Sequence, residues 1–182
     1  MRIITGTYKG RVIKMPKGIR PTPNRVRKAV FDILGDIEGL SFLELFAGSG
    51  AVGLEALSQG ARDVTLVESN SNCVSTIREN IGHLAVSDCE LIAMDVEKAL
   101  EIFKRGKIKF EIIFLDPPYY LGMAKKTLQS IYACDILAPT GFVIVQHFKR
   151  DELPPEEGDL SLFKRSVYGD TLLSFYKKGK QD

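Results

Sequence analysis

Glu44-Leu45-Phe46-Ala47-Gly48-Ser49-Gly50-Ala51-Val52-Gly53 stands between a short apolar run and a helical pattern. Residues 42–46 read as a strand and residues 50–58 as the helix that follows it. Glycines at the junction let the backbone turn sharply and admit a ligand where a Cβ would block it. The same alternation continues downstream. Strands are expected at 64–67, 90–93, 110–115 and 141–147, with helices at 71–81, 96–103 and 124–132. Short apolar runs separated by helical patterns describe a doubly wound α/β fold, a parallel sheet covered on both faces. The C-terminal stretch differs. Residues 163–168 and 171–176 flank Gly169-Asp170 and read as an antiparallel hairpin with a tight two-residue turn, unlike the all-parallel dinucleotide-binding sheet.

Upstream of the alternation the pattern changes. Residues 1–20 read as short strands with turns, a hairpin of 2–5 and 11–14 around Gly6 and Gly10. Residues 22–34 read as a helix: Thr22 suits its cap, Pro23 its first position, and Val26, Val30, Ile33 and Leu34 share one face. Arg25 and Lys28 then fall on the other face. The chain has 25 basic side chains, and nine lie in residues 1–31: Arg2, Lys9, Arg11, Lys14, Lys17, Arg20, Arg25, Arg27 and Lys28. That segment has no acid. The remaining 151 residues carry 16 basic and 23 acidic side chains, a balance of −7. A basic arm on an acidic body suits contact with a polyanion.

Other classes are disfavoured. No run of eighteen apolar residues is present, so no transmembrane helix is expected. The start, Met1-Arg2-Ile3-Ile4-Thr5-Gly6, lacks the apolar stretch of a signal peptide, so a cytoplasmic protein is expected. Cys73, Cys89 and Cys134 form neither a C-x-x-C pair nor an even set, which argues against disulfides and structural zinc. His83 and His147 sit in no metal-ligand pattern, and no catalytic metal is expected. The loop around Pro154-Pro155-Glu156-Glu157-Gly158 reads as an exposed connection.

The glycine turn also matches G-x-G-x-x-G through Gly48, Gly50 and Gly53, with Glu68 some twenty residues on, as a nicotinamide dinucleotide site would. The glycines alone therefore leave NAD and S-adenosylmethionine both open. The acids favour the second. Glu44 precedes the turn, Glu68 ends the second strand, Asp95 follows the third, and Asp116 ends the fourth. All four are expected on the ligand side of the sheet. They would repel a pyrophosphate and attract a sulfonium and an ammonium. Glu68 is suited to the ribose hydroxyls and Asp95 to the adenine amino group. Phe46, Ala47, Gly48, Ser49 and Gly50 supply the turn itself.

Asp116-Pro117-Pro118-Tyr119 follows the apolar strand 110–115. Two prolines stiffen the backbone and remove two N–H donors. The Pro117 carbonyl then becomes a fixed acceptor beside the Asp116 carboxylate, and the Tyr119 ring is placed to stack on a planar base. This set suits methylation of an exocyclic amine. The lone pair of such a nitrogen is conjugated with its ring. Two acceptors on its two N–H groups draw it toward a pyramidal, nucleophilic shape, so catalysis is chiefly positioning and electrostatics. No cysteine near this loop suits a covalent route to a cytosine carbon.

These residues resemble the RsmD family of bacterial 16S ribosomal RNA guanine-N2 methyltransferases. The likeness runs through Arg2-Ile3-Ile4, Lys9-Gly10-Arg11, Arg20-Pro21-Thr22 with Arg25-Val26-Arg27, Leu45-Phe46-Ala47-Gly48-Ser49-Gly50, Gly53-Leu54-Glu55-Ala56 and Asp116-Pro117-Pro118-Tyr119. D-P-P-Y is shared by many amino-methyltransferases; the N-terminal segment is more specific. The resemblance implies a class I methyltransferase, Rossmann-like sheet of seven strands with the last antiparallel, plus a small N-terminal hairpin and helix. It implies an RNA-gripping extension at 1–34 and a methyltransferase domain at 35–182. It implies S-adenosylmethionine as cofactor, with S-adenosylhomocysteine as product and no metal. The implied partner is 16S ribosomal RNA in an assembled or partly assembled small subunit; separately from the resemblance, a monomer is expected. Arg2, Lys9, Arg11, Arg20, Thr22, Arg25, Arg27 and Lys28 would contact that RNA, and Asp116, Pro117, Pro118 and Tyr119 would hold the target base. Three positions depart from the family pattern: Asn24 and Lys28, where Asp and Glu are usual, and Gln146, where an acid is common. An adenine-N6 methyltransferase, an NAD-dependent oxidoreductase and a non-catalytic RNA-binding factor remain the competing readings.

Overall fold

In the computed structural model, which describes residues 1–19, 22–119 and 122–179, helices and strands alternate from residue 24 to residue 148, and only strands follow. Residues up to Val96 form one compact unit and those from Glu97 a second. The first contains α1 (Asn24–Leu34), β1 (Ser41–Leu45), α2 (Ala51–Ser58), β2 (Asp63–Glu68), α3 (Ser71–Leu84) and β3 (Cys89–Ala93). Its strands run in the order β3-β2-β1, all parallel, with Leu45 opposite Val67 and Glu68 opposite Ala93. All five residues of β1 are buried, as expected of a parallel strand with both faces covered. Helix α2 packs on β1 and β2.

The N-terminal segment lies on this unit. The expected hairpin is reduced to one antiparallel bridge, Arg2 to Val12, flanked by backbone hydrogen bonds Ile3 N to Arg11 O (3.0 Å) and Ile13 N to Met1 O (2.9 Å). Side chains bury the segment more than the ladder does. Ile3 and Ile13, 2% and 0% exposed, join Ala51, Leu54 and Leu84 in one apolar cluster. Pro23, not Thr22, occupies the N-cap position of α1, and its side chain makes no capping hydrogen bond. The buried face of α1 is Val26, Arg27, Ala29, Val30 and Phe31, whereas Ile33 and Leu34 are half-buried.

The second unit contains most of α4 (Val96–Gly106), then β4 (Phe110–Leu115), α5 (Met123–Cys134), β5 (Leu137–Phe148), β6 (Glu156–Glu157), β7 (Leu160–Tyr168) and β8 (Thr171–Lys178). Its strand order is β4-β5-β8-β7-β6. β4 and β5 are parallel, and β8 runs antiparallel to β5 and to β7. The antiparallel last strand is as expected from sequence. β5 begins four residues earlier than expected, and its register against β4 slips between Phe110 and Ile112. Pro139, without an N–H, falls in that slip. Eight strands are present among the described residues where seven were expected. The extra one is β6, two residues of the expected connection that fold back on Leu160 and Ser161. No helix among the described residues is long and apolar enough to cross a membrane.

Candidate active site

In the first unit the chain leaves β1 through Phe46, at φ 60°, and turns at Gly48 and Gly50, at φ 58° and 73°. Those positive values are why glycine recurs here. Gly53 answers a different demand: a Cβ there would lie 2.4 Å from Leu66 Cδ2 and 2.9 Å from Glu44 Oε2. Only a bare backbone lets α2 come this near the strands. Glu44 is 3% exposed, and its Oε2 accepts the Gly53 N–H at 2.8 Å. Glu68, half-buried at the end of β2, accepts Gly48 N–H on Oε2 and the Ser69 and Asn70 N–H groups on Oε1, each at 2.8 Å. Asp95 is exposed between β3 and α4.

This donor set decides which ligand the turn fits. A dinucleotide pyrophosphate needs the N–H groups of the glycine fingerprint. Here Gly48 and Gly53 donate to carboxylates, and Gly50 donates to Ala47 O at 2.7 Å. Two carboxylates close to the turn make it a poor anion site and a suitable one for a cationic ligand. Sequence reading missed a further part of the turn. Asn80, 1% exposed, donates to Ser49 O (3.0 Å) and Lys14 O (3.0 Å) and accepts from Lys14 N (2.7 Å). One amide thus ties the basic arm to the glycine turn.

In the second unit β4 delivers the D-P-P-Y loop. Asp116 is half-buried, Pro117 buried, Pro118 exposed and Tyr119 half-buried. The Asp116 carboxylate accepts from Gln146 Nε2 on Oδ2 at 2.7 Å. Tyr119 shares a hydrogen bond with Thr171 Oγ1 at 3.2 Å, and its ring lies 5.8 Å from that of Phe148, tilted by 36°. The Arg150 guanidinium stands 6.0 Å from the Phe148 ring centre. Gln146, Phe148 and Arg150 all lie at or just past the end of β5. Apart from Gln146, noted as a family departure, none was singled out from sequence, because only the fold brings Gln146 to Asp116, Phe148 to Tyr119 and Arg150 to Phe148.

The thiols have little nucleophilic character. Burial pushes the Cys73, Cys89 and Cys134 thiols up, Cys89 to about 12, so the reactive thiolate is scarce. Among the described residues no group of three or more His, Cys, Asp or Glu could hold a metal ion.

The expected RNA contacts divide. Arg2, Lys9, Arg11, Arg25 and Lys28 are exposed and Thr22 is half-buried. Arg2 donates to Gly10 O at 2.7 Å and Arg11 to His83 O at 2.9 Å. Lys28 pairs with Asp32 at 2.7 Å. Arg27 is a correction: it is 0% exposed and directed at Glu55, so it has no surface to offer a partner. Arg20 lies outside the described residues.

The family model described as "Conserved hypothetical protein 95" matches residues 1–177. The chain belongs to this family, the RsmD family. "Putative rRNA methyltransferase YlbH" of Bacillus subtilis (strain 168) is 35% identical, over 98% of this chain and 99% of that protein. "Ribosomal RNA small subunit methyltransferase D" of Escherichia coli (strain K12) is 30% identical, over 100% of this chain and 91% of that one. Among solved structures, "Putative methyltransferase yhhF from Escherichia coli" superposes with a TM-score of 0.87 at 30% identity, covering 100% of this chain and 99% of that chain. The fold is that of the class I methyltransferases. RsmD-family membership thus covers both the basic arm and the D-P-P-Y loop.

Proposed function

We propose that this protein transfers a methyl group from S-adenosylmethionine to the exocyclic N2 of a guanine in small-subunit ribosomal RNA, acting in the cytoplasm on an assembled or partly assembled particle. The names of the family relatives support ribosomal RNA as the substrate class. The observation that carries the chemistry is the half-buried Asp116 carboxylate, held by Gln146 and followed by the buried Pro117.

The cofactor supplies a methyl group made electrophilic by a sulfonium. The rest falls to the residues of the chain. Glu68 and Asp95 take the ribose hydroxyls and the adenine amino group, and Phe46, Ala47, Gly48, Ser49 and Gly50 form the turn that receives them. Glu44 acts one step back, holding Gly53 and so the start of α2. Three of the four acceptor positions of the Glu68 carboxylate are already in use, so ribose binding exchanges some of these backbone bonds. Asp116 and the Pro117 carbonyl accept the two N–H groups of the target amine and expose its lone pair. Pro118 stiffens the loop, and Tyr119, steadied by Thr171 and Phe148, stacks on the base. A base buried in a helix would have to turn out first. Residues 1–34 grip the RNA through Arg2, Lys9, Arg11, Thr22, Arg25 and Lys28, and residues 35–182 carry the reaction.

Small-subunit particles from a strain lacking this protein are the test substrate. Wild-type protein should transfer tritium from labelled S-adenosylmethionine to their RNA, and nuclease digestion with mass spectrometry should find the label in N2-methylguanosine. Label in N6-methyladenosine would redirect the assignment to adenine. Asp116→Ala should lower the rate by at least about a hundredfold, with S-adenosylhomocysteine still bound. Full activity in that variant would remove the mechanism.

A further inference from the structure

Register explains why Asp116 and Gln146 meet. Leu115 of β4 stands opposite Val145 of the parallel strand β5. The residues that follow, Asp116 just past β4 and Gln146 within β5, therefore fall on one common face. The resulting contact is direct, with Gln146 Nε2 donating to Asp116 Oδ2 at 2.7 Å. The other end of the amide is unusual. Gln146 is 3% exposed, and its Oε1 is buried with no hydrogen-bond partner among the described residues. A buried acceptor left unmade costs stability, and an apolar side chain of similar shape would avoid that cost. Stability alone is thus a poor reason for glutamine at this position. Holding a carboxylate is a good one. An amide N–H remains a donor at every pH and cannot take the proton of its partner.

We propose that Gln146 is a positioning residue for methyl transfer: its amide fixes the rotation of the Asp116 carboxylate, so that the acceptor meets the target amine already oriented. This rests on the reading of Asp116 given under Proposed function. A carboxylate held less firmly would have more to reorganise at each turnover, and preorganisation of such acceptors is where an enzyme of this kind gains its rate. Gln146 touches neither substrate nor cofactor in this role; it acts through Asp116.

The test compares wild type, Gln146→Met and Gln146→Glu on the particles described above. Gln146→Met should lower kcat by about ten- to a hundredfold. Its KM for S-adenosylmethionine should stay within about twofold and its melting temperature should change little, since removal of the orphan acceptor offsets the loss of a donor to the half-buried Asp116 carboxylate, which water can reach. Gln146→Glu should acquire a new pH dependence. Only the protonated acid can donate to Asp116, so its rate falls as pH rises, while the wild-type rate shows no such limb. A wild-type kcat in Gln146→Met overturns the proposal, as does a Gln146→Glu profile that superimposes on wild type. So does a loss of kcat matched by a loss of melting temperature, which would mark a merely structural residue. If wild-type protein transfers no methyl group, the functional reading falls and this inference with it. Active wild type, inactive Asp116→Ala and unaffected Gln146→Met would defeat this inference alone.

Discussion

Arg27 and Glu55 form an ion pair that solvent does not reach: Nε to Oε2 is 3.4 Å, with side chains 0% and 1% exposed. Arg27 Nε makes no hydrogen bond among the described residues, so the contact at that atom is Coulombic. Hydrogen bonds surround it instead. Glu55 accepts from Ile4 N at 2.9 Å, Thr5 N at 2.8 Å and Thr5 Oγ1 at 2.9 Å. Arg27 donates to Arg2 O, Asn24 Oδ1 and Met1 Sδ. Burial lowers the Arg27 pKa, and the charges of Glu55 and Glu44 oppose that shift. The pair fastens the N-terminal segment to α2.

Removing one partner leaves the other charged and buried. Arg27→Met and Glu55→Gln should each lower the unfolding free energy by about 3–5 kcal/mol. The double variant should lose clearly less than the sum, because it buries no lone charge. Urea unfolding at fixed salt measures all three. Single-variant losses below about 1 kcal/mol would show the site to be wetter than its exposure implies.

A second prediction concerns Asn80, whose side chain joins Lys14 to Ser49. Asn80→Ala strands Lys14 N, Lys14 O and Ser49 O without this partner. Each buried group left unsatisfied costs about 1–3 kcal/mol before water or relaxation recovers part of it. The variant should be less stable by at least about 1 kcal/mol and should bind S-adenosylhomocysteine more weakly, because Ser49 lies in the turn assigned to the cofactor. Calorimetric titration reads the second effect. Unchanged affinity would mean that the turn holds its shape without Asn80.

The contrast between these pairs and the strand–helix alternation marks what was legible in one dimension. Period and composition act over neighbouring residues, so β1, β4 and the turn at Gly48–Gly50 could be read directly. Arg27 was misread because its partner lies 28 positions away on another helix. Yet Arg27 stands three and four residues before Val30 and Phe31, on the buried side of α1, and that spacing was available. Gln146 could be noticed only as a departure from a family pattern. Its donation to Asp116 depends on the Leu115–Val145 register, which no local rule supplies. β6 was missed for a similar reason, since a two-residue strand carries no period.

A third prediction follows from His147, 1% exposed on β5, with Nε2 at 2.9 Å from Ser174 Oγ and Nδ1 at 3.1 Å from Phe148 O. Burial lowers its pKa below the ordinary value of 6.5; Phe148 O and Asp151 oppose the shift and Arg165 adds to it. Below about pH 6.5 the unfolded chain takes up the proton more readily than the folded one. Stability therefore falls as pH drops below that value and gains nothing from this group above it. His147→Gln should be less stable than wild type at pH 7.5, yet lose less stability between pH 7 and pH 5. Chemical unfolding across that range measures the two slopes. Parallel slopes would show that His147 is protonated equally in both states.

The basic arm yields the last prediction, and it separates electrostatic contact from structural support. Lys9 and Arg25 are exposed; Lys28 is exposed but paired with Asp32. If the arm meets phosphates, each contact contributes about 0.7 to the slope of log affinity against log salt for single-stranded RNA. The Lys9→Ala, Arg25→Ala double variant should reduce that slope by about 1.4, weakening binding at low salt without affecting the melting temperature. Lys28→Ala should change it less, because its ammonium must first leave Asp32 and the gain on the RNA is offset by that loss. Arg27→Met should leave the slope unchanged at temperatures where the variant is folded, because a side chain with no exposed surface releases no counterion. Filter binding to small-subunit RNA over a range of potassium chloride concentrations distinguishes these cases. A slope indifferent to Lys9 and Arg25 would move the RNA contact away from the arm, and a slope that falls with Arg27→Met would show that the buried pair opens when RNA binds.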